Sequence, residues 1–276
     1  MAPPAACLIG WPAAHSRSPI IHKYWLKTLG IVGDYRIEAV SPEALPGFLA
    51  ELPGRGYVGA NVTMPHKEQA LALAQGDIRA RAVGAANTLW FDGGTLRATN
   101  TDVEGFVGNL DASAPGWERL NGDALVLGAG GAARAVLFGL LERGVSTIRL
   151  ANRTRERADA LARQFGERVQ PIDWSEIGLA LPGARLLVNT TSLGMKDQPP
   201  LDIDVGRLPA DAVVADLVSV PLQTPLLLAA GARGLRTADG LGMLLHQAVG
   251  GFALWFGKRP AVTVELRGLV EADLAK

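Results

Sequence analysis

Cysteine is almost missing from this chain: Cys7 stands alone, which excludes an internal disulfide. It sits in an apolar run and reads as a buried thiol rather than a reactive one. Neither sign of charge is in excess. Lys and Arg number 27 against 27 Asp and Glu, a formal net charge of +0, so the basic surplus of a nucleic-acid binder is lacking. Long apolar runs are lacking as well. Leu125–Leu141 comes nearest, but glycines and Arg134 break it before the roughly 18 residues of a spanning helix. Met1-Ala-Pro-Pro-Ala-Ala has no basic residue, so no signal peptide is expected. The histidines His15, His22, His66 and His246 are scattered without metal-ligand spacing, so no metal is expected. These absences point to a soluble cytoplasmic protein with neither a membrane nor a nucleic-acid partner. Oligomeric state is legible only as monomer or homodimer.

What is present suits two domains. The chain has 276 residues, 48% of them hydrophobic, enough for a sizeable core. Glycine is abundant at 33 residues, which implies many tight turns between short strands. Ala6–Gly10 reads as a strand, and Ser18-Pro19 as an N-cap followed by proline at the first helical position, with Ile21, Trp25 and Leu29 as an apolar stripe. Tyr35–Val40 is a strand, Ser41-Pro42-Glu43 a helix start, Val58–Thr63 a strand, and Pro65 the start of a helix to about Gln75. Thr88–Phe91 and Leu96–Thr99 flank a hairpin turn at Asp92-Gly93-Gly94, and Thr101 caps the next helix. Asp111–Gly122, polar and turn-rich, looks like a crossing between domains.

From Asp123 the pattern becomes regular β–α alternation. Strands are expected at Ala124–Leu127, Thr147–Ala151, Val169–Ile172, Leu186–Asn189, Ala212–Leu217 and near Leu235–Ala238. Helices are expected at Ala132–Arg143, Glu156–Phe165 and Pro225–Gly234. That alternation predicts a parallel sheet covered on both faces. A helical tail from Leu241 is expected to return to the first domain. The fold class is therefore α/β in two domains: an N-terminal α/β domain over 1–104, a Rossmann-type domain over 105–240, and C-terminal helices over 241–276 packing on the first.

The first strand of the second domain ends in Gly128-Ala129-Gly130-Gly131-Ala132-Ala133, a G-x-G-x-x-A turn that opens a helix. Gly128 serves the tight turn, Gly130 lets backbone approach a pyrophosphate, and Ala133 lets helix and strand pack closely. At the end of the next strand stands Asn152-Arg153-Thr154. An acidic residue there would grip a ribose 2′-hydroxyl; a guanidinium suits a 2′-phosphate instead. Arg157, one helical turn on, adds to the positive site, and Thr154 caps that helix while donating to phosphate. The cofactor expected is NADP. A solvated surface arginine at 153 is the plainer alternative.

An NADP oxidoreductase still needs an acid or base beside the substrate oxygen. Asn61-Val62-Thr63-Met64-Pro65-His66-Lys67 offers one. Asn61 and Thr63 alternate along a strand and share a side. Lys67 stands in the first turn of a helix, where the dipole opposes a purely structural cation and lowers its pKa. Taken alone, it also reads as a solvated surface lysine. Asn87 and Asn100-Thr101-Asp102 follow strand ends and read individually as turn or cap residues. In His15-Ser16-Arg17-Ser18-Pro19, two hydroxyls and free amides at a helix start suit a carboxylate, and capping explains Ser18 but not Ser16.

Taken in order, these motifs resemble the shikimate dehydrogenase (shikimate/quinate dehydrogenase) family over nearly the whole chain. The matching segments are Ala14–Pro19, Asn61–Lys67, Gly84–Thr88, Asn100–Asp102, Gly128–Ala132, Asn152–Thr154, Asn189–Met195, and Asp239–Met243 with Gln247. The resemblance implies reversible, NADP-dependent reduction of 3-dehydroshikimate to shikimate in chorismate and aromatic amino-acid biosynthesis. It implies that Ser16 and Ser18 bind the substrate carboxylate, that Thr63, Asn87, Asp102 and Gln247 contact ring hydroxyls, and that Lys67 paired with Asp102 is the acid/base group. The ion pair raises a lysine pKa where the dipole lowers it, so either Lys67 or the coupled pair titrates. For the cofactor it implies Gly128, Ala129, Gly130, Gly131, Ala132, Asn152, Arg153, Thr154 and Arg157, with Leu217 lining the nicotinamide and Gly240 approaching it by backbone.

The chain departs from the family pattern in one place that matters. The D-x-x-Y-x-P motif reads Asp216-Leu-Val-Ser219-Val-Pro221 here. Ser219 places no phenol against a substrate. A quinate/shikimate enzyme of broader range, or a weakly catalytic NADP-binding paralogue, are the alternatives this leaves. His66 also replaces the usual aromatic before the lysine.

Overall fold

The computed structural model describes residues 3–14 and 16–274. The chain forms two compact units, one of Met1–Glu104 with Leu245–Lys276, the other of Gly105–Leu244. Among the described residues no helix is long and apolar enough to cross a membrane.

In the first unit the elements are β1 (Ala5–Gly10), α1 (Ser18–Thr28), β2 (Asp34–Ala39), α2 (Leu45–Glu51), β3 (Tyr57–Val62), α3 (Lys67–Leu73), β4 (Gln75–Gly76), α4 (Ile78–Val83), β5 (Thr88–Asp92) and β6 (Thr95–Thr99). One sheet holds them in the order β2-β1-β3-β5-β6-β4. β1 pairs in parallel with β2 and β3, and β5 is antiparallel to β3 and β6. Every residue of β1 is buried, which is why its sequence is an unbroken apolar run rather than an alternating one. Gly93 and Gly94 turn the β5–β6 hairpin with φ of 56° and 81°, a conformation that glycine takes without strain.

Three expected helix starts move. Arg17, not Ser18, is the N-cap of α1, and Ser18 is its first residue. Ser16 supplies the cap acceptor instead: its Oγ receives the Ser18 N–H at 3.2 Å. The face of α1 turned inward is Ile21, His22, Trp25 and Leu26, with Leu29 half-buried beyond the helix. α3 begins at Lys67 rather than Pro65, because the His66 N–H closes a turn onto the Thr63 carbonyl at 3.0 Å. α2 begins at Leu45 rather than Pro42, after a turn closed by the Ala44 N–H on the Ser41 carbonyl at 3.1 Å.

The chain enters the second unit within α5 (Asp102–Ser113) and continues through β7 (Asp123–Leu127), α6 (Gly131–Glu142), β8 (Ile148–Ala151), α7 (Arg155–Phe165), β9 (Val169–Ile172), α8 (Ile177–Ala180), β10 (Ala184–Asn189), β11 (Val213–Asp216), α9 (Pro225–Ala232) and β12 (Arg236–Ala238). It leaves within α10 (Gly240–Phe256) and ends in α11 (Val264–Leu274). Asp111–Gly122 is thus not all crossing. α5 runs to Ser113, and Trp117 is buried with its Nε1–H donated to Asp111 at 2.9 Å.

All strands of the second sheet are parallel, in the order β12-β11-β10-β7-β8-β9. The chain doubles back between β7 and β10, the switch point at which open α/β sheets bind ligands beyond their carboxyl ends. β7 feeds both faces. Val126 packs with Ile148, Leu150 and Leu140 on one side, Leu125 and Leu127 with Leu187 and Val214 on the other. Ala133 lies wholly inside the first of these clusters.

Candidate active site

In the first unit a group of polar side chains gathers at the ends of β3, β5 and β6 and the starts of α3 and α5. Lys67 is the first residue of α3, and its Nζ lies 2.6 Å from Asp102 Oδ2. Asp102 is the first residue of α5, where the helix dipole favours a carboxylate. Its other oxygen accepts from Asn87 Nδ2 at 2.9 Å, and its N–H donates to Asn100 Oδ1 at 3.1 Å. Lys67 and Asp102 keep 30% and 21% of their side chains exposed, so the pair is reachable yet poorly solvated. Gln247 belongs to the same group, with Oε1 3.5 Å from Asn87 Nδ2. Thr63 is half-buried and continues the sheet by donating its N–H to the Ile9 carbonyl at 2.9 Å.

The two serines expected at the start of α1 are together, with Ser16 Oγ 3.2 Å from Ser18 Oγ. Arg17 between them is spent elsewhere, its Nε 3.3 Å from Asp273 of α11. His15 lies outside the described residues. Asn61 shares the parity of Thr63 along β3 but is buried, and its amide bonds inward. Its Oδ1 accepts from Tyr35 Oη at 2.7 Å, and its Nδ2 donates to the Asn87 carbonyl and to Thr88 Oγ1, both at 3.2 Å.

Tyr35 and Thr88 are polar members of this group with no role expected from the sequence, and Thr101, expected only as a helix cap, joins them. Thr88 and Thr101 sit inside the Gly84–Thr88 and Asn100–Asp102 segments; Tyr35 gives no sequence signal. Beneath them His22 is fully buried and stacks on Tyr35 at 4.1 Å between ring centroids, with neither ring nitrogen finding a hydrogen-bond partner. Burial lowers its pKa from the ordinary 6.5 to about 3, so the ring is neutral. His66 donates its Nε2–H to the Val40 carbonyl, 2.7 Å away. The Cys7 thiol, also buried, is pushed far above its ordinary range.

In the second unit Gly128 leaves β7 with φ of 105°, and a Cβ there would stand 2.5 Å from Thr190 Oγ1. Its glycine is required by fold and by packing together. Gly130 and Gly131 differ: a Cβ at either would meet no protein atom, and neither has a positive φ. Nothing within the protein demands glycine there. What their bareness provides is an open approach to the N–H groups at the start of α6, where Gly130 is the N-cap.

Asn152 braces this turn. Its Oδ1 accepts the Ala129 N–H at 3.0 Å, and its Nδ2 donates to the Thr154 carbonyl at 2.8 Å. Arg153, Thr154 and Arg157 are all exposed, and neither Arg153 nor Arg157 has an ion pair with a described residue. Arg155 between them faces elsewhere, bound to Asp159 at 2.9 Å and Asp173 at 2.8 Å. Thr154 is the N-cap of α7, but its side chain makes no cap hydrogen bond, contrary to the expected capping role. A bare helix N-terminus with two unengaged guanidinium groups beside it fits a dinucleotide that carries an extra phosphate.

Leu217 follows β11 and donates its N–H to the Asn189 carbonyl at 3.0 Å. Gly240 is pressed against that segment: a Cβ would lie 2.5 Å from the Leu217 carbonyl oxygen and 2.6 Å from that of Val218. Its glycine therefore serves packing against its own unit. Asp216 is buried, and burial raises its pKa against three hydrogen bonds, from Thr224 Oγ1 at 2.7 Å, Asn189 Nδ2 at 2.9 Å and the Val218 N–H at 3.1 Å. This carboxylate secures the loop on which half-buried Ser219 stands.

Comparison with known proteins agrees with this layout. Residues 8–89 match the shikimate dehydrogenase substrate binding domain, 117–194 match shikimate / quinate 5-dehydrogenase, and 240–264 match the shikimate 5′-dehydrogenase C-terminal domain. A protein of Rhodopseudomonas palustris named shikimate dehydrogenase (NADP(+)) is 73% identical, over 98% of this chain and 97% of its own. The shikimate 5-dehydrogenase of Thermus thermophilus, solved with NADP(H) and shikimate, is 38% identical with a TM-score of 0.85, over 98% of this chain and 99% of that one. The quinate dehydrogenase of Corynebacterium glutamicum, solved with NAD, is 32% identical with a TM-score of 0.90, over 98% and 99%. The family matches span more than half the sequence and the relatives nearly all of it: the chain belongs to the shikimate dehydrogenase family.

Proposed function

We propose that the protein is a cytoplasmic NADP-dependent shikimate dehydrogenase, interconverting 3-dehydroshikimate and shikimate on the route to chorismate and the aromatic amino acids. The observation that carries this reading is the Lys67–Asp102 pair, 2.6 Å apart and only partly exposed, with Asn87 on the second carboxylate oxygen. The similar proteins add support: one bears the NADP name at 73% identity, and another was solved with NADP(H) and shikimate.

NADPH, when bound, supplies the hydride that reduces the carbonyl carbon. The residues of this chain supply the rest. Lys67 donates a proton from Nζ to the carbonyl oxygen as the hydroxyl forms, and takes it back in the oxidising direction. Asp102 orients Nζ and stabilises its charged form. Ser16 and Ser18 hold the carboxylate, while Thr63, Asn87 and Gln247 contact the ring hydroxyls. Gly128–Ala132 hold the pyrophosphate, and Arg153, Thr154 and Arg157 take the 2′-phosphate. Leu217 lines the nicotinamide, and Gly240 sets the path of Leu217. In this reading 1–104 with the helices of 241–276 form the substrate domain and 105–240 the NADP domain, in a monomer or homodimer.

Ser219 favours a second reading, a quinate/shikimate enzyme of broader range; Arg153 argues against the NAD use of the similar quinate enzyme. A weakly catalytic paralogue fits poorly with an intact Lys67–Asp102 pair. Initial rates with shikimate and quinate, each with NADP and NAD, separate the three. The expected result is NADP reduction with shikimate and little with quinate. No NADP reduction with shikimate overturns the proposal.

A further inference from the structure

The hydrogen bonds behind Lys67 and Asp102 run in one direction. Tyr35 donates from Oη to Asn61 Oδ1 at 2.7 Å, which turns the Asn61 NH2 toward Thr88 Oγ1 and the Asn87 carbonyl, each 3.2 Å away. With a donor arriving at Thr88 Oγ1, its own hydrogen is directed onward, to Asn87 Oδ1 at 3.1 Å or to Thr101 Oγ1 at 3.0 Å. Thr101 Oγ1 is itself 3.1 Å from Asn87 Oδ1. The Thr101 backbone N–H can only donate, and it meets the same Asn87 Oδ1 at 2.7 Å. That settles which way the Asn87 amide faces, so its Nδ2 must point at Asp102 Oδ1, 2.9 Å away. Lys67 completes the line at Oδ2.

We propose that Tyr35 and Thr88 are positioning residues of the acid/base pair: with Asn61 and Asn87 they form a one-way relay of donors that ends on Asp102 and holds it ionised against Lys67. Hydrogen bonds aligned head to tail polarise one another, and donors directed at a carboxylate favour its charged form. An ionised Asp102 in turn keeps the Lys67 proton in place. Tyr35 and Thr88 are wholly buried, so water cannot substitute for either hydroxyl. Burial also pushes the Tyr35 hydroxyl well above its ordinary range, which keeps it a donor.

The other ionisable groups around the relay are few. Neutral His22 of α1 stacks on Tyr35, and the Cys7 thiol of β1 stays protonated. Glu68 follows Lys67 but is exposed, His66 precedes it with Nε2 on the Val40 carbonyl, and Glu104 of α5 is ion-paired with Arg259. None of them offers Asp102 a substitute for the Asn87 donor.

The proposal rests on the reading of Lys67 and Asp102 as the acid/base pair, and its test has an arm that needs no substrate. Lysine is labelled with carbon-13, the Lys67 side chain is assigned by its absence from Lys67→Ala, and its titration is followed by NMR in the wild type, Tyr35→Phe, Thr88→Val and Thr88→Ser. The pH dependence of kcat for 3-dehydroshikimate reduction is measured beside it. In Tyr35→Phe and Thr88→Val, Lys67 should titrate about 0.5 pH unit or more below the wild type. The alkaline limb of kcat should move down with it, and kcat should fall more than KM rises. Thr88→Ser, which keeps the hydroxyl, should match the wild type. A wild-type Lys67 titration in both variants, with only a lower melting temperature, overturns the proposal. If Thr88→Val does not fold, Tyr35→Phe, which removes a single oxygen, decides. If the wild type does not reduce 3-dehydroshikimate, the functional reading fails while the Lys67 titration still decides the relay.

Discussion

Asn152 accepts the Ala129 N–H at 3.0 Å and donates to the Thr154 carbonyl at 2.8 Å, so one amide ties the glycine turn to the segment bearing Arg153. The two halves of the proposed cofactor site are thereby held in one register. Asn152→Ala removes both bonds. Each such bond contributes on the order of 1 kcal/mol, so NADP affinity should fall roughly tenfold, measured by titration calorimetry, with little change in melting temperature. Unchanged NADP affinity would show that the turn keeps its shape without the brace.

Arg153 and Arg157 are exposed and have no ion pair among the described residues, while Arg155 is occupied by Asp159 and Asp173. The expected selectivity for the 2′-phosphate therefore rests on 153 and 157 and not on 155. Arg153→Asp should raise the KM for NADP by about tenfold or more, the scale of a lost charge-assisted contact, and leave the KM for NAD little changed. Arg155→Ala should disturb α7 but not the NADP/NAD ratio. Equal losses of NADP and NAD in Arg153→Asp would contradict phosphate recognition.

The β7–Gly128–α6 unit was legible because two independent demands coincide on it: burial on both faces makes the strand continuously apolar, and the positive φ at Gly128 admits no other residue comfortably. Helix starts were less legible. Ser18-Pro19 has the form of a cap, but Ser16 is an equally good acceptor and sits where the Ser18 N–H can reach it. α4 was missed, although Asp77 caps it by accepting the Ala80 N–H at 2.8 Å and Gly84 ends it with φ of 73°. Its brevity leaves no helical period to read. The relay behind Asp102 was beyond reach for another reason. Tyr35 and Asn61 are 26 residues apart, and Asn61 and Thr88 are 27 apart. Only the β1–β2, β1–β3 and β3–β5 pairings bring them together, and no local spacing records that.

Lys67 and Asp102 should separate kinetically. Lys67→Ala removes the proton donor and should lower kcat at least about a hundredfold, with NADP affinity nearly unchanged. Asp102→Asn keeps the shape and removes the charge, and should lower kcat while moving the alkaline limb of its pH profile to lower pH. Steady-state rates across pH check both. Near-normal turnover in Lys67→Ala would remove it from the mechanism.

Gly240 meets two backbone carbonyls that cannot move aside as a side-chain end can. Gly240→Ala should cost about 1–3 kcal/mol, the usual range for overpacking. It should also displace Leu217, so the KM for NADP should rise while the KM for the acid substrate holds. Urea denaturation and initial rates test the two parts separately, and an unperturbed stability would mean that the close approach relaxes freely.

His22 makes the fold sensitive to acid independently of the active-site pair. Above its ordinary pKa of 6.5 the ring is neutral in both the folded and unfolded chain, and its contribution to stability is constant. As pH falls from about 6.5 toward about 3, the unfolded chain binds a proton that the buried ring refuses. Stability is then lost at up to about 1.4 kcal/mol per pH unit from this group alone. Protonation inside the fold would place a charge between Tyr35, Trp25, Phe252 and Trp255 with no hydrogen-bond partner for either nitrogen. His22→Phe keeps an aromatic ring in the cage and removes the titration. Urea melts at pH 7 and at steps down to pH 4 should show a shallower decline for the variant than for the wild type, by up to about 1.4 kcal/mol per unit. Parallel declines would mean that His22 takes up its proton without leaving the fold.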